Sequence, residues 1–122
     1  MPHSQSVYAR IRDHIAALIL ENDHREGDAV PSVRSLAAEL MANPLTVGKA
    51  YQPFLELGVV RAKRGVGMFI AKDGVRRLRD VERETFLNEI WPNIAKQIKR
   101  LHVDPAELLT INDREARGER PL

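Results

Sequence analysis

The sequence predicts a mainly α-helical chain with one small β-hairpin, on three observations. Apolar residues recur at helical spacing in two short segments separated by little more than Met41 and Ala42. Two runs with strand character, Val59-Val60-Arg61-Ala62 and Gly67-Met68-Phe69-Ile70-Ala71, then flank a basic turn, Lys63-Arg64-Gly65-Val66. A longer helical pattern follows over about 75–103. Helix, sharp turn, helix and cationic hairpin is the order of a winged helix-turn-helix, and the last pattern adds a short helical C-terminal arm.

Each element has its own signals. Ser4 or Ser6 can cap a first helix whose stripe Val7, Ile11, Ile15, Leu18 and Ile19 runs to about Glu21 and covers the back of the motif. Residues 22–29, centred on Gly27-Asp28, read as a polar turn. Ser32 caps a second helix with Val33, Leu36, Ala37 and Leu40 on its inner face. Asn43-Pro44, a cap followed by proline at the first helical position, stops that helix and starts the next. The third helix turns Val47, Ala50, Tyr51, Phe54 and Leu55 inward, and Gly58 provides a left-handed stop. Gly48 costs this helix about 1 kcal/mol relative to alanine. Pro53 predicts a bend in its second half that leaves the N-terminal half intact.

In the C-terminal pattern, Leu87, Trp91, Ile94, Ile98 and Leu101 follow one another at heptad-like spacings, and Phe86, Ile90 and Ala95 widen the seam. Such a stripe can pack back on its own chain or against a partner helix. Its width exceeds what so small a head needs covered, which favours dimerisation. Pro92 removes one backbone hydrogen bond and crowds the carbonyl of Asn88, so a kink or break is expected near Trp91. Asp104-Pro105-Ala106-Glu107 restarts a short helix to about Asn112. The expected organisation is a winged helix-turn-helix over 1–72, a helical dimerisation arm over 73–113 and a disordered polar tail over 114–122.

Composition narrows the function classes. The 122 residues are 43% apolar, carry a net charge of +2 and contain no cysteine. No run approaches the roughly 20 apolar residues of a membrane span, and no signal-peptide pattern opens the chain. A cytoplasmic, nucleoid-associated protein is the expectation, with no membrane partner. The distribution of charge says more than its sum. Residues 61–79 hold seven basic side chains against the single acid Asp73, a footprint for a polyanion at the hairpin and just after it. Arg76, Arg77 and Arg79 within it fit a solvated connector equally well. His3, His14, His24 and His102 have no partner at metal-ligand spacing, and no nucleophile or nucleotide-binding motif is present. The chain is therefore expected to have no catalytic residue, metal or cofactor.

The outward faces carry the remaining chemistry. Arg34, Thr46 and Lys49 lie off the apolar stripes, and Lys63 and Arg64 sit beside a glycine that lets backbone approach a phosphate. A winged helix used for protein contact would instead present an apolar or acidic third helix and need no basic wing. Phe86 and Trp91 could line an effector pocket at a dimer interface, although core packing is the commoner role for such residues, and no effector is identified.

The order and spacing of these pieces resemble the GntR family of bacterial transcription regulators, and within it the short YtrA-like subfamily. The resemblance runs through Tyr8-Ala9-Arg10-Ile11, Gly27-Asp28-Ala29-Val30-Pro31-Ser32-Val33-Arg34, Leu36-Ala37, Asn43-Pro44-Leu45-Thr46-Val47, Lys49-Ala50-Tyr51, Leu57-Gly58 and Arg64-Gly65-Val66-Gly67-Met68-Phe69. It implies a homodimer that binds an inverted-repeat operator in double-stranded DNA and represses transcription, with the helical tail as dimerisation element. Larger relatives add a metabolite-binding or aminotransferase-like domain, for which these 122 residues have no room. By position, the resemblance implies DNA contacts from Ser32 and Arg34 and from Asn43, Leu45, Thr46 and Lys49 on the recognition helix. Lys63, Arg64, Gly65 and Gly67 on the wing complete the set. Leu45 stands where relatives often have a polar reader and could make only an apolar contact, for example with a thymine methyl.

Overall fold

A computed structural model describes residues 6–118. The first helix, α1 (Val7–Glu21), starts where Ser6 Oγ accepts a hydrogen bond from the Ala9 amide at 3.1 Å. Ser4, the other candidate cap, lies outside the described residues. Ser32 Oγ accepts from the Ser35 amide at 3.1 Å and opens α2 (Val33–Leu40). Met41 ends α2 with φ +52, and Asn43 Oδ1 takes the Leu45 amide at 2.9 Å to open α3 (Pro44–Glu56). A left-handed residue and a side-chain cap two positions apart force the sharp corner of the motif. The third helix runs without interruption through Pro53 to Glu56, and Gly58 follows at φ +73.

The hairpin forms as β2 (Val60–Lys63) and β3 (Gly67–Ile70), with Arg61 opposite Phe69 and Lys63 opposite Gly67. One strand is additional to the sequence reading. Ala29 falls in the expected polar turn, but β1 (Ala29–Val30) pairs antiparallel with β3, giving the order β1-β3-β2. Two residues are too short to show an alternating pattern, so only the partner strand reveals this one. The Gly27 amide donates to the Ile70 carbonyl and the Ile70 amide to the Asp28 carbonyl, both at 2.9 Å, extending the ladder toward that turn.

The core joins three helices and the sheet: Ile11, Ile15 and Ile19 of α1, Leu36 of α2, Val47, Tyr51 and Phe54 of α3, and Val60, Met68 and Ile70 of the strands. Tyr51 has no accessible surface, and its hydroxyl donates to the Pro31 carbonyl at 2.6 Å, tying α3 to the entry of α2. Burial, with a smaller push from the Glu39 carboxylate, raises its phenol from 10.0 to about 12. The folded chain therefore keeps a proton that the unfolded chain releases. The stability that depends on this proton is full below pH 10 and is lost as pH climbs to about 12. Tyr51→Phe should lower stability at pH 7 by about 1 kcal/mol, because the Pro31 carbonyl loses its donor, and should flatten that alkaline decline. Urea denaturation between pH 7 and 11 reads both effects.

Helix α4 (Gly74–Thr85) begins just past residue 72 and packs against the head. Gly74 and Leu78 are buried, and Leu78 belongs to the same core, so the first compact unit ends at Glu82 and the second begins at Arg83. Pro92 causes neither break nor loose end. A single π-helical turn, Phe86–Ile90, follows α4 directly and leads into α5 (Trp91–Leu101). Its wider loop lets the Trp91 amide reach back five residues to the Phe86 carbonyl. Pro92 follows directly on this wide turn, so the backbone accommodates the amide it lacks within a continuous helix rather than by a break. His102 ends α5 at φ +54, and Asp104 Oδ1 accepts from the Ala106 amide at 3.0 Å to open α6 (Pro105–Ala116). This helix passes the expected end near Asn112, so 114–116 are helical rather than tail, and 119–122 lie outside the described residues.

Candidate nucleic-acid interface

Two segments thirty residues apart in sequence meet in an open cleft of about 460 Å³. Ser32, Val33 and Arg34, at the amino end of α2, form one side, and Lys63, Gly65, Val66, Gly67 and Met68 of the wing form the other. The sheet makes this meeting possible, because Val30 pairs with Met68 and so fixes the start of α2 beside the hairpin. The amino end of α2 contributes free backbone amides and the positive end of its dipole. Arg34 is exposed and Ser32 half-buried. The side-chain oxygen of Ser32 is already engaged with the Ser35 amide and hydroxyl. Ser32 therefore acts first as a cap, and what it offers outward is the helix end it organises.

The wing tip is a tight turn in which the Val66 amide donates to the Lys63 carbonyl at 2.9 Å. Gly65 occupies its third position at φ +77, which a β-carbon would strain. Lys63 Nζ lies 5.4 Å from the centre of the Phe69 ring, a cation–π contact that holds the ammonium over the sheet side of the wing. Arg64 projects from the exposed tip.

On α3 the buried positions Val47, Ala50, Tyr51 and Phe54 leave Leu45, Lys49, Gln52 and Glu56 exposed along the opposite face. Thr46 and Gly48 flank that face, half-buried. Leu45 is 75% exposed. Asn43 makes its cap with Oδ1, and among the described residues its amide nitrogen makes no hydrogen bond. Arg34, Lys49, Lys63 and Arg64 have no acidic partner among the described residues. The arginines after the wing behave differently. Arg76 pairs with Asp73 at 3.4 Å, and the Arg77 guanidinium covers Gly58 at the end of α3.

A second hollow, of about 370 Å³, lies at the other end of α2 between Leu40, Met41 and Ala42 and the α1 residues Val7, Arg10, Ile11 and His14. Sequence reading has no signal for it, since it depends on the packing of α1 on α2. Among the described residues no cluster of three or more His, Asp or Glu side chains could hold a metal, and no helix is long and apolar enough to cross a membrane.

In the second unit, Phe86, Leu87, Ile90, Trp91 and Leu101 are exposed, and Ile94 and Ile98 are half-buried. The Phe86 and Trp91 rings sit 6.4 Å apart, tilted by 34°. Neither the π turn nor α5 buries a residue fully.

Residues 5–70 match the family described as "Bacterial regulatory proteins, gntR family". The chain is 31% identical over 106 residues to the HTH-type transcriptional regulator YhcF of Bacillus subtilis, covering 87% of this chain and 86% of that one. It is 32% identical over 101 residues to the HTH-type transcriptional repressor YtrA of the same organism, covering 83% and 72%. Among solved structures, a GntR family transcriptional regulator from Listeria monocytogenes shares the fold with a TM-score of 0.70 at 24% identity, over 93% of this chain and 98% of that one. With more than half of its length matched and its order of helices, corner and wing shared, the chain belongs to the gntR family of bacterial regulatory proteins.

Proposed function

We propose that this regulator binds double-stranded DNA as a homodimer on an inverted-repeat operator and represses transcription in the cytoplasm. The observation that carries the reading is the cleft that brings Arg34 and Lys63 together across the amino end of α2, with every cation of the site free of acidic partners among the described residues. A phosphate is the anion such a cleft fits: the amides at the start of α2 open onto it, Arg34 and Lys63 both line it, and its glycines let the backbone come close. In this reading α3 lies in the major groove with Leu45, Thr46 and Lys49 toward base edges, while Asn43 meets a phosphate. Arg64, Gly65 and Gly67 follow the adjacent backbone. The seam from Phe86 to Leu101 joins two copies, which sets two recognition helices about 34–36 Å apart, one turn of B-form DNA. The name of the relative YtrA, a transcriptional repressor, supports the sign of regulation.

The wing tests the electrostatic half of this reading. Lys63→Ala with Arg64→Ala should weaken binding to operator and unrelated duplex alike. The slope of log affinity against log salt should fall by roughly 0.9 for each phosphate that the wing no longer neutralises. Gel shifts across a salt series measure it, and an unchanged slope would mean the wing does not touch the backbone.

A further inference from the structure

The outward face of α3 combines two residues that make little sense for the chain alone. Leu45 stands in the first turn with 75% of its surface in water. Gly48, one turn on, is in a helix interior, where glycine is the poorest residue after proline. A β-carbon at 48 would meet nothing within 4 Å among the described residues, so none of them demands a glycine there. Its backbone is ordinary helix, so no positive φ demands it either. The two positions are three residues apart and so share a side of the helix, about 60° from one another.

We infer that Leu45 and Gly48 form an apolar notch that reads a thymine. The 5-methyl group of the base rests against the Leu45 side chain and enters the space left by the missing β-carbon of Gly48, in contact with bare helix backbone. Thymine is the one base that presents a methyl in the major groove. A cytosine amine or a purine acceptor in the same place would face hydrocarbon and lose its hydrogen bonds to water without replacement. Gly48 thus determines specificity through the side chain it lacks. The inference rests on the DNA-binding reading above and names the base that α3 selects.

The test uses the full chain and a duplex that it enriches from a random pool, with each thymine replaced in turn by deoxyuridine, which removes only the methyl group. At one thymine in each half-site the replacement should weaken binding by roughly fourfold per methyl. Leu45→Ala should weaken binding to the thymine duplex by a similar factor and abolish the difference between thymine and deoxyuridine. Gly48→Ala should raise the melting temperature by about 3–8 °C, since alanine favours the helix and has room. It should nonetheless bind the thymine duplex at least fivefold more weakly, with part of the loss recovered on deoxyuridine (~fivefold corresponds to a modest steric clash). Indifference to deoxyuridine at every position would overturn the inference while leaving DNA binding intact, and so would a Gly48→Ala chain that binds like the parent. Failure to enrich any duplex would overturn both the inference and the reading beneath it.

Discussion

Ile94→Asp combined with Ile98→Asp is expected to yield a monomer that keeps a folded head and loses most of its operator affinity. Both isoleucines lie in the middle of α5 on a face that also carries Trp91 and Leu101, which are 40% and 65% exposed in the single chain. An isolated soluble chain rarely leaves so contiguous an apolar stripe in water. Carboxylates placed in that seam would have to be desolvated for two copies to pack, a penalty of several kcal/mol per interface. A monomer retains the contacts of one half-site only. Specific binding commonly exceeds non-specific binding by 10³ or more, so affinity should fall by roughly 10²–10³-fold toward the non-specific level. Sedimentation equilibrium and gel shifts on the same variant measure both effects. A chain ending at Glu82 is the companion test, because it retains Gly74 and Leu78 in the head, whereas one ending at 72 would remove them. Either protein remaining dimeric and binding the operator like the parent would sink the assignment of the arm.

The parts of the fold that are legible in the sequence are those fixed by near neighbours along the chain. Ser32, Asn43-Pro44 and Asp104-Pro105 each announce a helix start because the capping oxygen and the amide it serves are two or three residues apart. What escapes is what distant residues decide. Ala29 becomes a strand because Phe69 lies opposite it, and the head extends to Glu82 because Leu78 finds the core. Pro92 signals a disturbance correctly, but a break and a π turn satisfy the same missing amide, and the sequence does not choose between them. The candidate interface divides in the same way. Arg34, Lys49, Lys63 and Arg64 can each be named as outward-facing cations, whereas the convergence of Arg34 and Lys63 on one cleft follows from β1 pairing with β3. Gly48 reads only as a loss of helix stability until the empty space beside it is visible.

Gly74→Ala should be among the most damaging single substitutions in the head, and opposite in sign to Gly48→Ala. A β-carbon at 74 would lie 2.1 Å from the Val59 carbonyl oxygen and 3.0 Å from its carbon, both backbone atoms that no side-chain rotation can move. That oxygen already accepts the Ala71 amide at 2.9 Å, and the Gly74 amide donates to the Ala71 carbonyl at the same distance. Relieving the clash therefore requires the start of α4 to move off the sheet, breaking this pair of hydrogen bonds and withdrawing Leu78, which is 1% exposed, from the core. Overpacking against backbone with the loss of one or two hydrogen bonds amounts to about 2–4 kcal/mol. In a domain of this size that lowers the melting temperature by more than about 10 °C. Thermal melts of the two glycine variants side by side give the comparison: both add one methyl group to a helical glycine, and only the space around it differs. A Gly74→Ala chain that melted with the parent would show that α4 can leave Val59 without loss, and the head would then end before Gly74 in energetic terms.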